Sequence, residues 1–553
     1  MKDCYDVVVV GGGGAGVMAA VAAVEAGARV AIVCKEPIGY GNTRMAVGLT
    51  ACAGLPGDSR EAFLDDVTVS GEGLCTRELV ETLVDDSRAA LTKLEEFGHM
   101  FNRDHHGVLS REALSRAGGH SLARTLSSSG AGVGLAQSLR AAVEKYHLSF
   151  FEDTLTLSLI QTEGVIRGIS ALSLADGEEF LLGAKAVVLA TGGGGWLFYP
   201  QTSNNRGTVG DGYALAFRAG AKLMDMEQVQ LIPFAITHPE AYRGLICGEP
   251  VVAGPLGIIY DSEGRTVLGP GINNLTRSAV VRAMAGAIRE GRAGEHGGLT
   301  LDLRPNLEKG PGYRDKLRAT GIFDAVLVAY GRKAYNWEEP WSIMPTVHYF
   351  MGGIKADKDG RTTVPGLYAA GEVMGGVHGG NRLGSVALTE VLVFGLRAGR
   401  AAASHAKDTK QLLMLQTGPV VSPLFGKQGR HRPLTLCRKL QKSMWTLAGL
   451  VREEAQLQRA LEVIEEISRE ARDVSIPAET VYNTELRDWV ELDFMLETAR
   501  LVVTSALLRK ESRGAHLRSD FPDRGGHGWE RNIILFRGEN GLVENNLEEA
   551  GHE

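Results

Sequence analysis

Three common features are missing from this 553-residue sequence, and each absence narrows what the protein can be. None of the six cysteines forms a C-x-x-C pair, so we expect reduced thiols in a cytosol-like compartment and neither a zinc site nor an iron–sulfur cluster within this chain. No apolar run reaches the roughly 18 residues of a membrane-spanning helix. No basic block accompanies the net charge of −7, which argues against nucleic acid as the main partner.

The start of the chain, MKDCYD, is acidic and runs into a predicted strand, unlike a signal peptide. We therefore expect a cytoplasmic protein that does not itself span a membrane, with a peripheral position on a membrane complex as an alternative. The apolar fraction of 44% is ample for a large core, and the length predicts about three to four domains.

Glycine, in contrast, is abundant: there are 71, nearly twice the roughly 7% of an average protein. The glycines cluster in GGGGAG (11–16), TGGGG (191–195), MGGI (351–354) and GGVHGGN (375–381). Such clusters predict loops in which the backbone comes close to another group, because glycine adopts turns that other residues avoid and has no side chain to keep a ligand away.

The first cluster carries a dinucleotide-binding motif. Gly11, Gly13 and Gly16 form G-x-G-x-x-G between a predicted strand over 5–10 and a predicted helix over 14–27. The glycines allow a tight turn, and the helix N-terminus offers free N–H groups to a pyrophosphate. A glycine-rich turn without a ligand is the alternative.

The second strand, predicted over 29–34, ends without the acidic residue that would bind a nicotinamide ribose. Cys34 and Lys35 stand in its place, which favours a flavin site over a nicotinamide site. Residues 184–195 and 364–373 repeat the pattern of a strand followed by glycine. We therefore predict one parallel sheet built from segments that are far apart in the sequence.

This organisation predicts an α/β protein with a Rossmann-like dinucleotide-binding domain, an inserted α+β capping domain and a C-terminal helical bundle. Long helical periodicity with charges over 430–470 and 484–512 indicates the bundle. An irregular tail with one short strand, NIILFR, is expected to follow. The predicted boundaries are 1–220 and 345–410 for the two parts of the dinucleotide-binding domain, 221–344 for the capping domain, 411–520 for the helical domain and 521–553 for the tail.

Seven stretches, in order along most of the chain, resemble one family. They are VVVVGGGGAG (7–16), GGHSLARTL (118–126), VLATGGGG (188–195), GDGYALAFRAGA (210–221), PTVHYFMGGI (345–354), GLYAAGEVMGGVHGGNRLGS (366–385) and ALLRKESRGAHLRSDFP (506–522). The sequence is similar to the flavoprotein subunits of succinate dehydrogenase and fumarate reductase, with L-aspartate oxidase as a close relative. Together the stretches are specific for the superfamily and less so for the substrate.

The resemblance implies FAD, which would make the Rossmann-like domain an FAD-binding domain. Thr43, in GNTRMAVG (41–48), falls where the membrane-complex enzymes carry FAD on a histidine. Threonine cannot form that link, so the resemblance implies non-covalent FAD and favours reduction of substrate over oxidation of succinate. The residues implied to bind the cofactor are Gly11, Gly13, Gly14, Ala15, Gly16, Lys35, Asn42, Thr43, Ala190, Thr191, Gly192, Asp211, Tyr349, Glu372 and Ser385.

Three catalytic residues are also implied by the resemblance. His348 and Arg382 would hold a substrate carboxylate, which arginine can bind through two planar donors, and Arg277 would act as proton donor. PTVHYFMGGI (345–354) is expected to be a loop against the flavin ring. The alternatives are a core histidine satisfied by the backbone for His348 and a surface arginine in a first helical turn for Arg277.

The family's substrate-binding pattern is broken in two places. Residues 229–235 read VQLIPFA, with Ile232 and Phe234 where the fumarate reductases have a histidine and a threonine, and 249–257 lacks the family's threonine–glutamate pair and arginine. Because burying an unpaired carboxylate is very costly, we expect a substrate with one carboxylate at the Arg382 end and an apolar body at the other, not fumarate or succinate. The side chains expected at the apolar end are Ile232, Phe234, Val251 and Val252.

The leading hypothesis is an FAD-dependent oxidoreductase that moves hydride between flavin N5 and a CH–CH or C=C bond of a small carboxylate-containing substrate. KESRGAH (510–516) resembles subunits that dock an iron–sulfur partner, so electrons would pass to or from such a subunit. Glu249 is a candidate proton relay, and His238 is expected to be an exposed turn histidine. The alternatives are amine oxidation like that of L-aspartate oxidase and an FAD-carrying electron-transfer subunit whose substrate site has decayed.

Overall fold

The structure, a computed structural model, describes residues 3–409 and 418–550. Its strands are β1 (Asp3–Val10), β2 (Val30–Val33), β3 (Leu49–Ala51), β4 (Thr125–Ser127), β5 (Ser149–Phe151), β6 (Thr154–Thr162), β7 (Val165–Ser173), β8 (Glu179–Leu189), β9 (Leu223–Met224), β10 (Val229–Ile236), β11 (Ile258–Tyr260), β12 (Thr266–Leu268), β13 (Leu299–Asp302), β14 (Trp341–Phe350), β15 (Gly353–Ile354), β16 (Leu367–Ala369), β17 (Arg531–Arg537) and β18 (Val543–Glu549).

Its α-helices are α1 (Gly14–Glu25), α2 (Asn42–Met45), α3 (Arg60–Ser70), α4 (Arg77–Glu95), α5 (Ala131–Lys145), α6 (Asp211–Arg218), α7 (Arg277–Arg289), α8 (Pro311–Arg318), α9 (Asp324–Tyr335), α10 (Val386–Asp408), α11 (Pro433–Ala448), α12 (Glu454–Glu470) and α13 (Thr484–Leu508).

The largest sheet collects strands from distant parts of the chain. β1 lies between β2 and β8 in parallel, β16 also pairs in parallel with β8, and β6 and β7 continue the sheet in antiparallel fashion. Val10, Leu189 and Ala369 are in register, so the three glycine-rich loops that follow these strands leave the sheet side by side. The prediction of one sheet built from discontinuous segments is confirmed.

A second, antiparallel sheet has its own hydrophobic core. Its order is β10-β14-β13-β11-β12, and α7 packs against β10 and β14. The core includes Phe234, Ile236, Met284, Phe323, Trp337 and Trp341. This unit is the predicted inserted capping domain, while its boundaries at 221 and 344 stay a prediction.

The C-terminal region contains the predicted helical bundle of α11, α12 and α13. Leu457, Ile464 and Ile467 line the buried face of α12, which is otherwise charged. The tail is less irregular than predicted: NIILFR lies in β17, but β17 pairs with β18 and with β9. Sequence analysis missed β18, VENNLEE, because this edge strand is mostly exposed and lacks an apolar face.

No helix in the described ranges is long and apolar enough to cross a membrane.

Candidate active site

Two of the three motif glycines, Gly11 and Gly16, have no room for a side chain. Gly11 has φ +121°, and a Cβ on it would lie 2.2 Å from Ala190 O. A Cβ on Gly16 would lie 1.9 Å from Gly11 O. α1 starts at Gly14, whose N–H donates to Thr43 Oγ1 at 3.1 Å. The loop and the helix N-terminus therefore fit a pyrophosphate that must approach the backbone closely, as the sequence predicts.

Two predicted cofactor ligands pair with each other. Lys35 Nζ lies 2.9 Å from Asp211 Oδ2 and 3.9 Å from Glu491 Oε1. Burial opposes the charge on Lys35, but Asp211 and Glu491 outweigh it and raise the pKa of this lysine. The pair joins the end of β2 to the start of α6, so it can shape the site whether or not either residue touches the cofactor.

Asn42 and Glu372 meet beside the same loops. Asn42 Nδ2 donates to Asn204 Oδ1 at 2.6 Å and to Glu372 Oε2 at 3.5 Å, and the N–H of Phe350 donates to Glu372 Oε1 at 3.0 Å. Burial raises the pKa of Glu372 to about 7. In the described part of the chain, the buried Thr191 Oγ1 has no hydrogen-bond partner. These groups fit a polar cofactor with hydroxyl groups.

Tyr349 and Ser385, the other predicted cofactor ligands, lie in well-bonded positions. Tyr349 is buried, and its hydroxyl donates to Glu390 Oε2 at 3.2 Å. Ser385 precedes α10 with φ +61°, and its Oγ donates to Gly384 O at 2.6 Å. Burial raises the pKa of Glu390 to about 8. Sequence analysis had no signal for Glu390, which reads as an ordinary helical residue.

His348 occupies a bulge in a strand, not a loop, so that prediction was wrong. Gln230 pairs with Tyr349 and Leu231 pairs with Val347, which leaves His348 as the extra residue of β14. A bulge can re-aim a side chain next to a site. Ser203 Oγ lies 2.9 Å from His348 Nδ1, and so the ring is oriented through one nitrogen.

The electrostatic surroundings keep the His348 ring neutral. Burial, together with Arg382 and Arg277, holds the pKa of His348 well below its usual range. The influence of both arginines shows that the three predicted catalytic residues converge on one place. A neutral imidazole can donate or accept a hydrogen bond at Nε2, but it adds no charge to the site.

Arg382 is buried without a carboxylate partner. Its Nε donates to Gln230 Oε1 at 3.1 Å, its Nη1 to Leu383 O at 3.4 Å, and its guanidinium lies 4.8 Å above the ring of Tyr349. No described carboxylate forms an ion pair with Arg382, and the residue is only 4% exposed. Burial and the nearby Arg277 lower the pKa of Arg382 to about 10.

Arg277, in contrast, forms an ion pair with a carboxylate. Its Nε donates to Glu249 Oε2 at 2.9 Å and its Nη2 to Glu249 Oε1, while the buried Nη1 has no partner among the described residues. Arg277 begins α7, where the helix dipole disfavours a cation, so helix stability does not explain it. The alternative of a surface arginine is wrong, because only 16% of its side chain is exposed.

The predicted apolar wall needs one correction. Ile232 pairs with Thr346, but the next pair is Ala235 with Met344, so β10 carries a bulge at Pro233 and Phe234. The bulge turns Phe234 into the capping-domain core, where it is 0% exposed, and it does not line the site. Val251 and Val252 pack with the same core.

Ile232 is the apolar replacement closest to Arg382 along β10, because it lies two residues after Gln230, which contacts Arg382, and alternate residues of a strand share a face. It is buried but belongs to neither hydrophobic core, and directly paired residues share a face of a sheet. Its partner Thr346 has a buried Oγ1 without a hydrogen-bond partner in the described ranges. His238 plays no part here, since it contacts Thr237 and the ring of His296.

Most side chains of KESRGAH are internal, although Lys510 is exposed. Glu511, Arg513 and His516 are at most 1% exposed. They form an internal network with Arg509, which is bonded to Asp225 and Glu227. Any docking surface in this region must therefore come from neighbouring residues.

Comparisons with known proteins agree with this geometry. A family model for an FAD binding domain matches residues 6–388, and one for the fumarate reductase flavoprotein C-terminus matches residues 437–549. A subunit of the CoM/CoB fumarate reductase of Methanothermobacter marburgensis is 35% identical over 550 residues, which is 97% of this chain and 98% of that protein. The L-aspartate oxidase of Streptomyces coelicolor is 35% identical over 548 residues, 96% of this chain and 91% of that one. This chain superposes on a chain of the Sdh1 complex of Mycobacterium smegmatis in its apo form with a TM-score of 0.88 and 31% sequence identity. The match covers 100% of this chain and 95% of that chain.

Proposed function

This chain belongs to the succinate dehydrogenase and fumarate reductase flavoprotein family, and from this premise we propose that it acts on a small substrate with a single carboxylate. It is an FAD-dependent oxidoreductase of the class that acts on CH–CH bonds. Fumarate and succinate, which carry two carboxylates, are not its preferred substrates in this proposal.

The balance of positive and negative charges among the site residues supports the proposal. Glu249 forms an ion pair with Arg277, and His348 is neutral, so among the described residues of the site Arg382 is the cation without an ion-pair partner, and Glu249 and Glu372 act on it only from a distance. One carboxylate would neutralise it. A second carboxylate would lie near Ile232 instead of the histidine of the fumarate reductases, and a buried unpaired carboxylate is strongly unfavourable.

The residues divide the chemistry between them. When bound, FAD supplies hydride exchange with one carbon of the CH–CH or C=C bond. Arg382 and His348 hold the carboxylate and polarise the bond conjugated with it. Arg277 gives a proton to the neighbouring carbon from Nη1, the nitrogen that Glu249 does not use, and Glu249 relays a replacement proton from solvent to the arginine. Positioned acid catalysis of this kind contributes roughly 10²–10⁴-fold.

Electron exchange requires a second protein in this proposal. In the described ranges, no group of three or more His, Cys, Asp or Glu side chains could hold a metal. The relative from Methanothermobacter is named as a subunit, which supports an assembly. We propose an iron–sulfur subunit as the partner and the cytoplasm as the location.

The FAD is proposed to be non-covalent. Residues 41–48, GNTRMAVG, contain no histidine, cysteine or tyrosine that could be linked to it. Acid precipitation should release all of the flavin and leave a colourless polypeptide. A fluorescent band on a denaturing gel would contradict this.

The substrate class is tested with reduced enzyme and a panel of enoates. Crotonate, with one carboxylate, should be converted to its saturated product, and the flavin should be reoxidised with matching stoichiometry. The likeness to L-aspartate oxidase favours a second candidate, amine oxidation, which would instead yield hydrogen peroxide from L-aspartate and oxygen. A chain with a decayed site would reoxidise with none of these substrates.

A further inference from the structure

Gln230 is a buried amide in direct contact with Arg382. Gln230 is 2% exposed and lies on β10, two residues before Ile232. Its Nε2 donates to Arg382 O at 2.9 Å and to Asn381 Oδ1 at 3.1 Å. With two acceptors at Nε2, the amide can only present Oε1 to the Nε of Arg382, at 3.1 Å.

This contact decides which edge of the guanidinium is free. Gln230 occupies Nε, and the ring of Tyr349 covers one face at 4.8 Å. Nη2 has no acceptor among the described residues, and Nη1 makes only a long contact of 3.4 Å to Leu383 O. The terminal edge, Nη1 and Nη2, is thus left for an anion.

We propose that Gln230 is a positioning residue that fixes Arg382 through neutral contacts and so keeps its positive charge available to the substrate carboxylate. A glutamate at this place could still accept a hydrogen bond from Nε of Arg382, but it could not donate to Arg382 O or Asn381 Oδ1, and it would neutralise the guanidinium. The inference deepens the proposed function and rests on it for the identity of the anion, but not for the role of the amide.

The same network explains why the contact is rigid. Asn381, which accepts from Gln230, donates through Nδ2 to Ser70 Oγ at 3.2 Å, and Ser70 Oγ donates to Asn381 O at 2.8 Å. The loop that carries Arg382 is therefore anchored to the end of α3 as well as to β10. Pre-organised donors lose little entropy when an anion binds.

The test compares Gln230→Glu with Gln230→Met in the FAD-loaded protein. The first readout is the dissociation constant of crotonate or fumarate, whichever the native protein binds more tightly, from the change in flavin absorption. Both variants lose the two hydrogen bonds that Gln230 Nε2 donates; Gln230→Glu should weaken binding about 100-fold because it also pairs the charge, and Gln230→Met about 3–10-fold because it also loses the contact to Nε but leaves the charge free. Crotonamide, the uncharged analogue, should bind both variants within about 3-fold of native, which a general disruption of the site would not allow.

A second readout needs no substrate. Gln230→Glu removes a net positive charge from the site and should lower the midpoint potential of the bound FAD, while Gln230→Met leaves it unchanged. Gln458→Glu, an exposed position on α12, is the control for total charge.

If Gln230→Glu and Gln230→Met behave alike in both readouts, the inference is overturned. If the native protein prefers fumarate or binds neither acid, the proposed function fails, and the potentials still decide the role of Gln230.

Discussion

Two regions of this protein bury arginine in opposite ways. In the C-terminal network, Arg509 is 0% exposed and contacts Glu227 at 2.5 Å, Asp225 at 3.0 Å and Glu511 at 3.2 Å. In the candidate site, Arg382 is 4% exposed and contacts an amide, a carbonyl and an aromatic ring instead.

Arg509 is a cation that stabilises the fold, and Arg382 is the cation that we propose binds an anionic ligand. Burial acts to lower the pKa of Arg509, but Glu227 and Asp225 outweigh it and raise the pKa. Burial and Arg277 lower the pKa of Arg382, and the more distant Glu249 and Glu372 do not outweigh them. Arg452 is a third buried arginine; it forms no ion pair with the described residues, but it donates to the backbone carbonyls of Ala448 and Glu227.

The largest effect should come from breaking the compensated region. Arg509→Met leaves Asp225 and Glu227 buried without their counter-ion, while Glu511 keeps Arg513, so it should destabilise the protein by about 3–5 kcal/mol or prevent folding. Thermal and denaturant unfolding measure the loss. Arg459→Met, at a side chain that is 57% exposed, is the matched control and should change stability by less than about 0.5 kcal/mol. Equal stability of the two variants would mean that the network is not structural.

A change at Arg382 in the candidate site should alter activity and not stability. Arg382→Lys keeps the charge but loses the planar donors, so turnover of the best enoate should fall about 100-fold while FAD content and the unfolding midpoint stay native. Steady-state kinetics and flavin absorbance check this. Unchanged turnover would show that Arg382 does not hold the substrate.

These contrasts could be predicted from sequence only in part. The glycine loop and Arg382 belong to short local motifs, which can be identified in the sequence without knowing which strands pair. The bulges that free His348 and turn Phe234 inward depend on the register between β10 and β14, which no short stretch specifies. The Gln230 contact needs a loop 152 residues further along the chain.

A smaller change should sharpen the comparison at the apolar end of the site. Ile232→His offers a donor to a second carboxylate, and Thr346 Oγ1, which lacks a partner in the described ranges, can orient the new ring. The preference for fumarate over crotonate should rise about ten-fold, as one added hydrogen bond to a charge allows. The ratio of kcat/KM for the two acids measures it. Ile232→Val is the control, and an equal ratio in both variants would remove Ile232 from the account of specificity.

Glu390, a buried acid of the candidate site, should make the stability of the protein depend on pH. It faces Tyr349, Glu372 and Arg382, and burial raises its pKa to about 8. Because the folded protein then holds a proton that the unfolded chain releases near pH 4.3, stability should fall as pH rises from about 4.3 to about 8, by about 1 kcal/mol per pH unit. Above about pH 8 this contribution is constant.

Glu390→Gln should flatten that part of the profile. Unfolding midpoints of the two proteins, measured between about pH 6 and pH 9, provide the comparison. Parallel curves would show that Glu390 is ionised in the folded protein.

The most direct measurement compares kcat/KM of the native protein on crotonate and on fumarate with the same reduced donor. A site with one uncompensated positive charge predicts that crotonate is the better substrate by about ten-fold or more, because the second carboxylate of fumarate finds Ile232 in place of a donor. If fumarate is reduced as efficiently as crotonate or more so, the single-charge account is wrong, and the protein is an ordinary fumarate reductase flavoprotein.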